Sequence, residues 1–134
     1  MTFYRLSGLC MMVTFIAVGL LFFLLPDGVL SFFNAISWQL GMKEILLQGK
    51  SFFLILATAY MYIVSLLAFF MFKYPDNQFP PLLLANAKLA SSLLSFGMFF
   101  YHQPYLIYLV NGLVDGAIGV FVLFLYLRMR KEPA

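Results

Sequence analysis

The sequence is poor in charge and contains one cysteine and one histidine. Only 10% of its 134 residues are charged, against about 25% in an ordinary soluble domain. The single Cys10 excludes an internal disulfide and any multi-cysteine metal site. The single His102 excludes bis-histidine haem ligation within the chain. The sequence has no Walker-type loop, nucleophile elbow or HExxH motif, so hydrolase and nucleotide-dependent chemistry have no sequence support.

Apolar residues make up 64% of the chain, and most of them fall into four long runs. A helix needs about 20 residues to cross the hydrocarbon layer of a bilayer. At this length only a helix satisfies its own backbone in lipid. The sequence therefore predicts an all-α polytopic four-helix bundle that forms one membrane domain over 1–134, with spans at about 8–25, 51–73, 82–101 and 105–127.

The connection between the first two spans is long enough to hold a helix of its own. It begins with Pro26, after which Asp27 is a candidate helix cap. Apolar residues then recur at helical spacing, which predicts an amphipathic helix over 28–41. This helix either lies in the membrane interface or packs over the mouth of the bundle as a lid, and the sequence favours neither.

The basic residues outside the spans predict the orientation of the chain. Five of them lie on the side that holds both termini, and two lie on the other side, which predicts cytoplasmic termini in a bacterial inner membrane. The net charge of +3 comes mostly from the C-terminal tail, so no nucleic-acid partner is predicted. The five are Arg5, Lys73, Arg128, Arg130 and Lys131, and the two are Lys43 and Lys50.

Two ionisable residues lie well inside the spans, Lys88 in the third and Asp115 in the fourth. Each costs about 2.5–3.5 kcal/mol at the centre of a membrane helix and normally faces a partner inside the protein. Counted at 1.5 Å per residue from the span ends, their depths differ by only about 5 Å, which a lysine side chain can bridge. The sequence therefore predicts a Lys88–Asp115 pair across the hairpin of spans three and four.

Other polar residues follow helical spacing and predict a polar cluster around this pair. Its candidate members are Lys88, Asp115, Asn111, Tyr62, Ser92 and Thr58. Three glycines on the fourth span, Gly112, Gly116 and Gly119, are candidate helix-packing positions. Small and polar residues also join membrane helices without any ligand, so the cluster is either a structural lock or a binding site.

The stretches LLFFLLPDGVLSFFN, NAKLASSLLSF and VDG give the chain a resemblance to the small bacterial four-helix membrane proteins grouped around DoxX. The first stretch is a span that ends in proline before an interfacial helix. The other two place a basic residue in span three and an acidic residue in span four. The resemblance implies the fold and a bacterial membrane. The family's activity is poorly defined, some members being associated with quinone-linked redox complexes, and no catalytic residue carries over.

Three functional hypotheses follow. The first is a non-catalytic accessory or scaffold subunit that meets other membrane subunits, or itself, within the lipid bilayer. The alternative is a protein that binds or transports a small molecule, a quinone or an ion through the polar cluster. The third is an enzyme that uses Asp115 with Tyr62 or Lys88 for acid–base chemistry, which the sequence disfavours. No metal or resident cofactor is predicted, and a quinone or a lipid remains a candidate ligand.

Overall fold

The computed structural model describes residues 2–46 and 51–131, without the side chains of residues 2, 23 and 51–54. Over these ranges the chain forms five helices and no strand. They are α1 (Thr2–Leu24), α2 (Pro26–Gln39), α3 (Ser51–Lys73), α4 (Phe79–Tyr101) and α5 (Leu106–Lys131). Within this part of the chain, α1, α3, α4 and α5 are long enough and apolar enough to cross a membrane.

Proline accounts for the boundary between α1 and α2. The residue before a proline is disfavoured in the helical region, and Leu25 accordingly adopts φ −131° and ψ 52°. Pro26 begins α2, where its missing N–H would have no helical partner in any case. The helix thus starts two residues earlier than predicted. Asp27 lies in the first turn and makes no side-chain capping hydrogen bond, so its predicted role as a cap was wrong.

α1 begins six residues before its predicted start, and α4 and α5 also extend past their predicted bounds, each of these two for a physical reason of its own. α4 begins at Phe79, three residues early, because Pro80 and Pro81 fit the first helical turn. α5 continues to Lys131, where basic side chains lie in the last turn. Positive charge is favourable at a helix C-terminus because the backbone carbonyl groups there are unpaired.

The helices pack as two antiparallel pairs. α4 packs closely along α5 and α1 along α3, whereas α3 and α4 share a smaller contact. Within the described helices, α1 and α5 make few if any direct contacts. α2 contacts both α1 and α5 and so reaches across the gap between them. The gap is therefore bordered by α1 and α5 at its sides and by α2 at one end.

Buried apolar side chains concentrate toward the end where α1 and α4 begin and α3 and α5 finish. We call this the basic end because Arg5, Lys73, Arg128, Arg130 and Lys131 lie there. Of the two basic residues on the opposite side, Lys43 is described and Lys50 lies outside the described residues. The buried apolar cluster comprises Tyr4, Phe15, Val64, Ala68, Met71, Leu84, Ala85, Val122 and Leu125.

The segment after α2 is held by hydrogen bonds at the end of the helices opposite the basic end. Gly41 takes φ +65°, a conformation that favours glycine and reverses the chain. The Asn34 amide then donates to the Ile45 carbonyl oxygen at 2.9 Å, and the Ile45 N–H donates to Asn34 Oδ1 at 2.8 Å. Lys43 Nζ donates to Gln103 Oε1 at 3.3 Å. The segment thereby joins α2 to the turn between α4 and α5.

Candidate functional site

Lys88 and Asp115 form an ion pair between α4 and α5. Lys88 Nζ lies 2.8 Å from Asp115 Oδ1, and the two residues are only 2% and 5% exposed. The packing of α4 along α5 brings the two positions side by side, and the pair that the sequence predicts is present. A charged hydrogen bond of this length offsets part of the cost of burying both charges.

Two aromatic rings complete the surroundings of the Lys88 ammonium. Its nitrogen lies 4.7 Å from the centroid of the Phe15 ring on α1 and 5.2 Å from that of the Tyr60 ring on α3. An aromatic face attracts a cation within about 6 Å, and the attraction is strongest where water is excluded. Tyr60 is held in turn by a 3.2 Å hydrogen bond from its hydroxyl to the Ala87 carbonyl oxygen. All four long apolar helices therefore contribute a side chain to this site.

Polar side chains join α4 to α5 beside the ion pair. The Ser92 hydroxyl donates a 2.6 Å hydrogen bond to the Gly112 carbonyl oxygen. The Asn111 amide donates to Ser95 Oγ at 2.7 Å and to Ser91 Oγ at 3.3 Å. The pairing of α4 with α5 therefore does not depend on the ion pair alone.

The three predicted packing glycines face α4 at close range. A Cβ at Gly112 would lie 3.1 Å from the Phe96 ring, and one at Gly116 would lie 2.8 Å from Ser92 Oγ. A Cβ at Gly119 would lie 2.8 Å from Leu89 Cγ and 3.2 Å from the Leu89 backbone nitrogen. Glycine at these positions lets the backbones approach closely, which is the usual role of small residues between membrane helices.

The ion pair lies in the wall of a cavity of about 420 Å³. The cavity is bordered by α1, α3, α4 and α5, and Phe33 of α2 contributes to its wall. Most of the wall is apolar, with a small polar region around the pair. The lining residues are Thr14, Phe15, Val18, Phe22, Phe33, Ala57, Tyr60, Met61, Lys88, Ser91, Ile107, Val110, Asn111, Val114, Asp115 and Ile118.

The structure places two predicted cluster members elsewhere. Tyr62 is 69% exposed, and with Thr58 it lines a separate apolar groove of about 390 Å³ between α1 and α3. The Thr58 hydroxyl is buried and has no hydrogen-bond partner among the described residues. Successive helical residues are about 100° apart, so Tyr62 points well away from Tyr60, two positions earlier. Tyr60, not Tyr62, borders the ion pair.

Phe15 is the site residue that sequence reasoning missed. Phenylalanine occurs 17 times in the chain, and in an apolar run a phenylalanine beside a cation cannot be distinguished from one that faces lipid. The sequence indicates a role for Tyr60 only weakly, through its position between the predicted cluster members Thr58 and Tyr62.

The arrangement combines an apolar chamber with one polar patch that holds a charged pair. Among the described residues, no group of three His, Cys, Asp or Glu side chains could hold a metal ion. Acid–base chemistry that pairs Asp115 with Tyr62 is not supported by this geometry because Tyr62 does not line the cavity. The geometry suits the binding of a small molecule with an apolar body and a polar group.

Comparisons of the chain with protein-family models, with curated proteins and with solved structures find no match, so the resemblance to the DoxX group stays a prediction.

Proposed function

We propose that this protein binds a small, mostly apolar molecule from the bilayer in the cavity beside Lys88 and Asp115. The observation that carries this proposal is the position of the ion pair in the wall of a cavity of about 420 Å³. Ligand cavities typically measure about 300–1,000 Å³ and combine apolar walls with a few polar groups. Charged side chains within membrane spans commonly mark such sites.

A purely structural role accounts less well for the charges. α4 and α5 already meet through the Ser92–Gly112 hydrogen bond and through glycine packing. Replacement of a buried ion pair by apolar residues of similar size is often neutral or stabilising. A lock between the two helices therefore needs no charge, whereas a charged side chain makes a stronger hydrogen bond to a polar group of a ligand than a neutral one does.

Access from the bilayer would run between α1 and α5. These helices make few if any direct contacts along their described lengths. Wall residues on both sides of the gap are exposed, Val18 to 37% and Val114 to 51%. A molecule dissolved in lipid could reach the cavity there without first passing through water.

We further infer that the four spans form one bundle around the cavity and that α2 covers the cavity at the end opposite the basic end. Phe33 faces the cavity, and Val29 and Ser37 are buried, whereas Phe32 and Trp38 are exposed. This distribution supports an amphipathic helix that covers the mouth of the bundle and presents its other face to the interface.

The location proposed for the chain is a bacterial inner membrane, with the basic end in the cytoplasm. Arg5, Lys73, Arg128, Arg130 and Lys131 lie at that end, and basic residues are retained on the cytoplasmic side of bacterial membranes. A binding cavity covered by α2 would then lie toward the outer leaflet.

The decisive experiment compares two tryptophan substitutions on adjacent exposed positions of α5. Val114 lines the cavity, and Leu113, which is 58% exposed, does not. Small molecules extracted from the purified wild-type protein, Val114→Trp and Leu113→Trp would be identified by mass spectrometry. We expect a molecule that accompanies the wild type and Leu113→Trp and is lost from Val114→Trp. Equal content in all three proteins would contradict the proposal.

A second candidate function, an accessory subunit, is favoured by the groove between α1 and α3. This groove of about 390 Å³ is almost entirely apolar, and a helix of another membrane subunit would fit such a surface. A photo-crosslinking residue at Ile16, which lines the groove, would then join the protein to a partner. The same residue at Val13, which is exposed outside the groove, would not. Equal crosslinking at both positions would indicate random collision.

A further inference from the structure

The cavity wall includes the Asp115 carboxyl group, one oxygen of which receives no hydrogen bond from the described residues. Asp115 Oδ1 accepts the hydrogen bond from Lys88 Nζ, and Asp115 also lines the cavity. No donor from the described residues reaches Asp115 Oδ2. A carboxylate oxygen in a low-dielectric environment gains strongly from a donor.

The Lys88 ammonium, by contrast, already faces partners within the protein. Asp115 Oδ1 lies at 2.8 Å, and the rings of Phe15 and Tyr60 cover the ammonium at 4.7 and 5.2 Å. Only 2% of Lys88 is exposed. A ligand that can only accept hydrogen bonds, such as an ether or a ketone, would therefore find the N–H groups of Lys88 largely occupied by other partners.

The charges in the cavity wall also restrict the kind of ligand that the cavity can hold. Lys88 and Asp115 are the only basic and acidic residues in the described cavity wall, and their formal charges sum to zero. A cationic ligand would leave a net charge inside the membrane, which is costly in a low-dielectric environment. A neutral hydroxyl group donates a hydrogen bond without adding charge.

We propose that the cavity selects a neutral apolar molecule that carries a hydroxyl group, an alcohol or a phenol, which donates its hydrogen bond to Asp115 Oδ2. This inference rests on the proposed function and names the chemical class of its ligand. The hydroxyl lies beside the ion pair, and the apolar body lies against Val18, Val114 and Ile118. Lys88 is a positioning residue, because its contact with Oδ1 at 2.8 Å orients the Asp115 carboxyl group.

The test uses two radiolabelled probes that differ at one group, nonylphenol and nonylanisole. The anisole replaces the phenolic O–H by O–CH₃ and so removes the donor while the apolar body is kept. Equilibrium binding to the purified full-length protein in detergent would be measured for the wild type, Val114→Trp and Leu113→Trp. We expect saturable binding of nonylphenol, at least about tenfold tighter than that of nonylanisole, in the wild type and in Leu113→Trp.

A second variant separates donor recognition from folding. Lys88→Met/Asp115→Leu keeps side chains of similar size and removes the acceptor, so we expect it to bind both probes equally weakly. If the wild type binds both probes equally and Val114→Trp binds neither, the cavity binds ligands but the proposed class is wrong. If the wild type binds neither probe saturably and its extracts contain no cavity-dependent molecule, both this inference and the proposed function are overturned.

Discussion

Lys88 on α4 and Asp115 on α5 meet at 2.8 Å between two of the four long apolar helices, and both line one cavity. Each is almost completely buried, yet neither is enclosed within the packed apolar cluster near the basic end. The pair therefore has two separable consequences. It affects the stability of the α4–α5 pairing, and it gives the cavity a polar surface.

The contribution of the ion pair to the stability of the protein is tested by single and double substitutions. Asp115→Leu alone leaves the Lys88 ammonium buried without a counter-charge, which we expect to cost about 3–5 kcal/mol of unfolding free energy. Lys88→Met/Asp115→Leu removes both charges and should recover most of that loss. Unfolding in mixed micelles, followed by helical circular dichroism, measures both values. If the double variant is as unstable as the single one, the loss of unfolding free energy does not come from an unpaired Lys88 charge.

The packing of α5 against α4 is tested at Gly119. A Cβ there would lie 2.8 Å from Leu89 Cγ and 3.2 Å from the Leu89 backbone nitrogen, so the helices would have to separate. We expect Gly119→Ala to lower the unfolding free energy by about 1–3 kcal/mol. Gly97→Ala is the matched control, since a Cβ at Gly97 meets nothing within 4 Å. It should be neutral or stabilising by up to about 1 kcal/mol. The same loss in both variants would contradict the close approach at Gly119.

The helices and the partner of Asp115 could be predicted from the sequence because they depend on simple quantities. Apolar run length indicates a span, and residue counts from Pro81 and Tyr105 place Lys88 and Asp115 at similar depths. The arrangement of the four spans as one bundle and the orientation of the chain in the membrane remain predictions.

The cavity could not be predicted because it depends on how the two helix pairs lie beside each other. No periodic pattern in α1 or α5 indicates that these helices stand apart while α3 touches α4. The same uncertainty about helix rotation placed Tyr62 in the cluster instead of Tyr60. It also left Phe15 among the many phenylalanines that suit a lipid-facing surface.

The attachment of the segment after α2 is tested by proteolysis. Asn34→Ala removes both hydrogen bonds to Ile45, so the segment that contains the exposed Lys43 should be released. We expect trypsin cleavage after Lys43 to become several-fold faster, because proteases cut exposed and locally unfolded chain. Asn86→Ala is the control, since Asn86 is bonded within its own helix to the Leu82 carbonyl oxygen. Equal cleavage in both variants would show that Asn34 does not hold the segment.

The orientation of the chain is tested with single cysteines. In a Cys10→Ser background, Asp76→Cys lies in the turn between α3 and α4, and His102→Cys lies in the turn between α4 and α5. A membrane-impermeant thiol reagent applied to intact cells should label His102→Cys and should label Asp76→Cys only after lysis. The reverse pattern would place the basic end outside the cell and contradict the proposed location.

The role of the ion pair in binding is tested by measuring the molecules bound to the Lys88→Met/Asp115→Leu protein. This variant should remain folded, with the helical content and the unfolding free energy close to those of the wild type. We predict that it loses the small molecule that is extracted from the wild-type protein, since the polar surface of the cavity is gone. If the folded variant retains the same molecule in the same amount, the ion pair joins α4 to α5 without a role in binding, which contradicts the proposed function of the pair.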